Sequence, residues 1–174
     1  SLFFEIKFKC DGKDLLIATT RPELIGACAA IFVNPKDKRY QKLIGKMASV
    51  PLFNYEVPII GDESAEMEKG TGAMMVCSYG DKHDVEAINK NKLNPRVIFN
   101  KDGTLNLDAY KGMKIKEARK KIIEDLKNIN LIKDQKQISH AVNVHDKCGT
   151  EIEFLPTEQW FVKMEPLAKP AIDA

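Results

Sequence analysis

At 174 residues, 44% of them hydrophobic and 30% charged, the chain suits one domain with a core large enough to need no staples. Its net charge of +2 is too small to mark a nucleic-acid binder, and no apolar run approaches the ~20 residues of a membrane span. The charges within residues 1–7 argue against a signal peptide, and a start at serine suggests a piece of something longer.

Residues 2–9 alternate Phe4, Ile6 and Phe8 with Glu5, Lys7 and Lys9, the period of a half-buried strand. Asp11-Gly12 supplies turn chemistry, and Leu15 to Ala18 begins the returning strand. Cys28 to Val33 reads as a buried strand closed by Asn34-Pro35. Two more strands are expected at Val50 and at Val57 to Ile60, across a loop containing Asn54, and another at Gly72 to Cys77. A helix is predicted from Asp81 to about Lys90, with Asp81 and Asp84 at its N-cap and third position. Ile115, Ala118, Ile122, Ile123 and Leu126 recur at helical spacing between Lys114 and Lys127 and predict a second. Val142 with Val144, and Ile152 with Phe154, read as final strands. Beyond Pro156 the prolines, with Trp160 and Phe161, suit a tail that packs on a missing neighbour. Many short strands with turn signals between them imply an α+β fold, a barrel-like core of mostly antiparallel strands with peripheral helices.

Three clusters carry polar chemistry. In Ala18-Thr19-Thr20-Arg21-Pro22-Glu23, hydroxyls and a guanidinium follow an apolar strand. The block reads either as a capped turn with Pro22 at its first position and Glu23 favouring the dipole, or as the rim of a pocket. Gly70-Thr71-Gly72 leads through Met75 and Cys77 to Asp81 and Asp84, where a carboxylate at a strand-to-helix junction caps the helix or binds an ammonium group. Its glycines lack the spacing of a dinucleotide or phosphate loop. His145-x-x-Cys148-Gly149 resembles half a zinc knuckle with His140 as the nearest further donor, but a tight turn with a buried thiol suits it better. The four cysteines, Cys10, Cys28, Cys77 and Cys148, are too irregularly spaced for a disulfide framework and read as reduced, buried thiols of a cytoplasmic protein. Two locally basic segments, 36–46 and 111–121, are solvated faces or phosphate contacts.

In order along the chain, Ala-Thr-Thr-Arg-Pro-Glu at 18–23, Asn-Pro-Lys-Asp-Lys-Arg-Tyr at 34–40, Val-Pro-Ile-Ile at 57–60, Lys-Gly-Thr-Gly-Ala at 69–73, Gly-Asp-Lys-His-Asp at 80–84, Cys-Gly-Thr at 148–150 and Gln-Trp-Phe at 159–161 together resemble the connective-polypeptide editing domain of the class I synthetases for valine, isoleucine and leucine. Glu23 and the His-x-x-Cys-Gly-Thr ending fit the valine branch, and Met-Val-Cys-Ser-Tyr-Gly-Asp at 75–81 its archaeal type. The resemblance implies an editing domain at 1–155 and a tail, 156–174, leading back to the rest of the synthetase chain. It implies hydrolysis of threonine from the 3′ end of tRNA(Val), and leaves hydrolysis of threonyl-adenylate open. Asp81, Thr19 and Thr20 would be catalytic, and Arg21, Asp84, Thr71, Gly72, Met75 and Cys77 would bind substrate. No metal and no cofactor is implied for this piece. ATP and magnesium belong with the synthetic domain, whose His-x-Gly-His and Lys-Met-Ser-Lys motifs are absent here, so this piece would deacylate without activating an amino acid.

The match has gaps. Bacterial valine enzymes carry lysine and threonine at the positions of Met75 and Cys77, phenylalanine at Lys69 and threonine at Leu24, so contacts through those side chains do not carry over. Rival expectations are an editing domain of leucine or isoleucine specificity, a non-catalytic module binding the tRNA 3′ end, and a zinc hydrolase on His140, His145 and Cys148.

Overall fold

Phe4, Ile6, Phe8 and Cys10 all turn inward from β1 (Leu2–Cys10), the buried half of the alternation predicted for it. The computed structural model describes residues 1–139 and 141–172. Asp11 and Gly12 take positive φ angles of 49° and 73°, the backbone of a tight hairpin turn. They return the chain into β2 (Lys13–Thr19), antiparallel to β1 from Phe4↔Thr19 to Cys10↔Lys13. Next come β3 (Cys28–Val33), β4 (Met47–Val50), β5 (Tyr55–Gly61) and β6 (Ala73–Cys77), where apolar runs predicted them.

The sheet runs β2-β1-β4-β5-β3-β6, antiparallel except for the parallel β3–β5 pair, and β6 packs back beside β2. The result is the nearly closed, barrel-like α+β fold expected from the sequence. β3 is buried at every position because both its faces are covered. Ile31 and Val33 enter the main core, while Ala30 and Phe32 join Val76, Ala65 and Ile88 in a second cluster under α1 (Lys82–Asn91). α2 (Ile115–Asn128) buries Ala118, Ile122 and Leu126 and packs against the 3₁₀ turn Pro22–Ala27.

The polar strand β7 (Ile132–Gln137) went unpredicted. It pairs with β1 as an edge strand and exposes all of its residues except the half-buried Ile132, so alternation leaves no trace in its sequence. The reverse holds for Val142-Val144 and Ile152-Phe154, which do not form strands. Only an isolated bridge joins Val144 to Glu151, and all four apolar side chains remain exposed, since no partner face covers them.

A hairpin-like turn at 145–150 brings the Cys148 thiol within 3.3 Å of His145 Nδ1 and 3.2 Å of Thr150 Oγ1. That thiol is exposed, against the expectation of burial, whereas Cys10, Cys28 and Cys77 are buried; all four are free. His140, the further donor of the zinc reading, lies outside the described residues, among which no cluster of three metal-ligating side chains occurs. No helix among the described residues is long and apolar enough to cross a membrane. The last helix, α3 (Met164–Ile172), buries no residue.

Candidate functional site

The sixty positions that separate Arg21 from Asp81 in sequence vanish in space because β2 and β6 lie side by side and end at the same mouth. β2 stops at Thr19, and Pro22, whose ring fixes φ and lacks an N–H, starts the buried 3₁₀ turn. β6 stops at Cys77, and four residues later Asp81 caps α1 by accepting the Asp84 N–H at 2.8 Å. Between them lies a cleft of about 170 Å³, lined by Thr19, Thr20, Arg21, Asp81 and Asp84 over Leu24, Met75 and Cys77.

Each polar group at the rim has a defined state. Thr19 Oγ1 accepts the Arg21 N–H at 3.0 Å, which fixes the bend and leaves the Thr19 hydroxyl proton free to donate. Asp81 spends one carboxylate oxygen on the helix cap and lies exposed with the other. Asp84 turns inward, accepting the Cys77 N–H at 3.1 Å. Burial, with the like charge of Asp81 second, pushes the Asp84 carboxyl up to about 7, near its midpoint at neutral pH. Gly80 makes this packing possible, since a Cβ there would run into Asp84 Oδ2 and press on Leu24 and Cys77.

Cys77 lines the cleft without being a nucleophile. Its thiol is buried, points toward the Leu24 carbonyl at 3.5 Å, and is held by burial far above its ordinary pKa. Thr71 and Gly72 are not brought into the lining. The Thr71 carbonyl accepts the Tyr40 hydroxyl at 2.7 Å, and Gly72, at φ 81°, passes so close to Met67 that a Cβ would sit 2.8 Å from its carbonyl oxygen. Both shape the entry to β6. Met75 does reach the cleft, together with Met74.

Arg21 is not a free cation at the rim. Its Nε donates to Glu23 at 3.0 Å, and its Nη2 donates to both oxygens of Glu153 at 2.7 and 2.6 Å. Glu23 is completely buried and also accepts two bonds from Arg119 on α2, each 2.9 Å; Arg119 in turn reaches Glu151 at 3.4 Å. In sequence Glu23 stands as a dipole partner, a member of the polar block at 18–23 and a mark of the valine branch, and Arg119, Glu151 and Glu153 do not stand out as its partners. One signal was available for Arg119: it falls four residues after Ile115 and three before Ile122, at the edge of the apolar stripe of α2.

Two further clefts adjoin the first, and Asp81 lines all three. One, of about 630 Å³, runs between α1 and the 62–69 loop over Met74 and Met75. The other, of about 320 Å³, lies between Thr20-Arg21 and the segment carrying Glu151 and Glu153. A small polar-rimmed cleft flanked by two grooves suits the end of a longer molecule whose reactive group lies in the middle.

No family model matches the chain. Proteins named valine–tRNA ligase are similar to it along most of its length. The one from Thermoplasma volcanium is 46% identical over 171 residues, covering 97% of this chain and 22% of the relative. That from Methanocaldococcus jannaschii is 51% identical over 166 residues, 93% of this chain and 19% of the relative. That from Clostridium acetobutylicum is 43% identical over 176 residues, 99% of this chain and 20% of the relative. The chain thus spans about a fifth of the length of these relatives. Among solved structures, the LeuRS of Agrobacterium radiobacter K84, in a ternary complex with tRNA and LeuAMS, superposes with a TM-score of 0.63 at 17% identity, over 78% of this chain and 20% of that one. At that identity the likeness concerns the fold.

Proposed function

Since the chain belongs to the valine–tRNA ligase family as a segment of about one fifth its length, we propose that it is the family's editing unit, which hydrolyses threonine wrongly esterified to the 3′ end of tRNA(Val). The observation that carries this reading is the meeting of Thr19, Thr20 and Arg21 with Asp81 and Asp84 around one cleft of about 170 Å³. That volume equals about six waters at ~30 Å³ each, room for a threonyl ester with an attacking water.

The chemistry of the two amino acids explains the need. A hydrophobic pocket rejects an isostere bearing an extra hydroxyl only ~10²-fold, and valine against threonine is the standard case. A second site must therefore reward the hydroxyl. In this cleft Asp84 can pair with the threonine hydroxyl, as acceptor or, near its midpoint, as donor. Valine in the same place would leave the second Asp84 oxygen, the one not bonded to the Cys77 N–H, without a partner, at ~1–3 kcal/mol.

Asp81 receives the α-ammonium group through its uncapped oxygen, a charge-assisted contact. The hydroxyls of Thr19 and Thr20 hold the attacking water or polarise the ester carbonyl; the Arg21 N–H, already bonded to Thr19, does not serve as an oxyanion donor. No acyl-enzyme forms, because the one thiol in the lining is neutral and faces a backbone carbonyl. The tRNA's own terminal ribose hydroxyl assists the proton transfer.

The test is deacylation by this chain of tRNA(Val) charged with threonine and, side by side, with valine, at saturating tRNA. Threonine release ~10-fold or more faster than valine release is expected from one unpaired buried group. Equal rates, or no release of either, would remove the reading.

A further inference from the structure

The ion-pair network beside the ester cleft divides into a permanent part and a removable part. Glu23 is sealed in the core on the 3₁₀ turn, and its one carboxylate is shared between two guanidiniums, so the Arg21–Glu23–Arg119 trio carries a net positive charge. Glu151 and Glu153 come instead from a segment without regular structure, tied at Glu151 by one isolated bridge to Val144 and flanked by the exposed Ile152 and Phe154. With both present the five-residue network is net negative. Yet the 320 Å³ cleft that Arg21 and Arg119 line shares Thr20, Arg21, Gly80 and Asp81 with the ester cleft. An RNA end whose ester occupies the smaller cleft carries its last phosphodiester within one nucleotide of it. A negative network is the wrong lining for that phosphate.

We infer that residues 151–155 form a displaceable strap, whose Glu151 and Glu153 carboxylates stand on Arg119 and Arg21 where a phosphodiester of the RNA end docks. The inference rests on the ester-binding reading of the neighbouring cleft. The exchange is chemically level, because a guanidinium fork grips carboxylate and phosphate with the same paired N–H geometry. Arg21 holds Glu153 through Nη2 alone, which donates to both carboxylate oxygens, a grip that a phosphate's paired oxygens can take over. The buried Glu23 keeps both guanidiniums aimed while their outer partner changes. The strap also leaves Leu155 packed on the core, a pivot about which 151–154 swing out. A charged segment over the arginines would further disfavour stray anions that cannot place an ester in the adjoining cleft.

The test is binding of a short labelled single-stranded RNA ending in CCA, uncharged, to the whole chain. The variants are E151Q/E153Q, the same pair with R119Q, and a control, E117Q/E124Q, which removes two negative charges from α2 away from the arginines. Near-UV circular dichroism checks that each is folded. The strap predicts that E151Q/E153Q binds about fivefold tighter, with a steeper loss of affinity between about 50 and 200 mM salt because more phosphate is engaged. It predicts that R119Q cancels the gain and that the control changes affinity less than about twofold. Unchanged or weaker binding by folded E151Q/E153Q, or an equal gain in the control, overturns it. Should the double variant fail to fold, E153Q alone must bind tighter or the strap is rejected. Threonyl-ester hydrolysis is read separately, so a failed strap with intact hydrolysis leaves the editing reading in place.

Discussion

Asp84 shows how much of this site is set by where a single carboxyl is placed. Its folded pKa of about 7 lies above the ordinary 3.8, because burial and Asp81 disfavour the charge. The native state therefore holds a proton that the unfolded chain has released. The corresponding stability is fully present below about pH 4 and is lost as pH rises toward 7. D84N keeps an oxygen to accept the Cys77 N–H but cannot ionise. Urea melts from pH 4 to 8 are expected to show wild type losing stability relative to D84N across that window; parallel curves would mean that Asp84 titrates normally. At Gly80, alanine, driven against Asp84 Oδ2, is expected to impair threonine release more than it impairs folding. Melting midpoints and kcat/KM measured on the same sample separate the two effects.

At the scale of elements, the strands and helices facing the core were legible, and those facing water were not. β1 announced itself through Phe4, Ile6 and Phe8, and α2 through Ala118, Ile122 and Leu126, because burial imposes a period on sequence. β7 is held mainly by backbone pairing, with Ile132 its one side chain against the core, and carries no such imprint, while Val142 and Ile152 carried a misleading one. The candidate site was half legible for a related reason. Thr19, Thr20 and Arg21 stand out beside their strand, and Asp81 beside its helix. The link from Glu23 to Arg119 spans 96 positions and that from Arg21 to Glu153 spans 132, which no local pattern encodes. The Glu23 link ties α2 to the 3₁₀ turn and holds the site in register. E23Q leaves two half-buried arginines without their buried counter-charge and should cost ~3–5 kcal/mol, read as a fall in the urea midpoint at unchanged slope. A loss below ~1 kcal/mol would show the network to be a surface effect.

At the scale of the molecule, the barrel matters because it makes β2 and β6 neighbours, so that two strand ends deliver hydroxyls and carboxylates to one mouth. Its stability rests on a core shared by every strand and by α2. Leu126, fully buried in that core, gives ~2–5 kcal/mol on truncation to alanine and tests whether α2 belongs to the cooperative unit. The mouth itself is probed most directly by threonyl-tRNA(Val) hydrolysis by D81N. Asparagine preserves the cap on Asp84 and removes the charge that would meet the substrate's ammonium group, the same charge that helps to raise the Asp84 pKa. A kcat/KM lower by ~10- to 100-fold is expected, the loss of one charge-assisted hydrogen bond, with the melting temperature little changed. Wild-type kcat/KM in a folded D81N would contradict it.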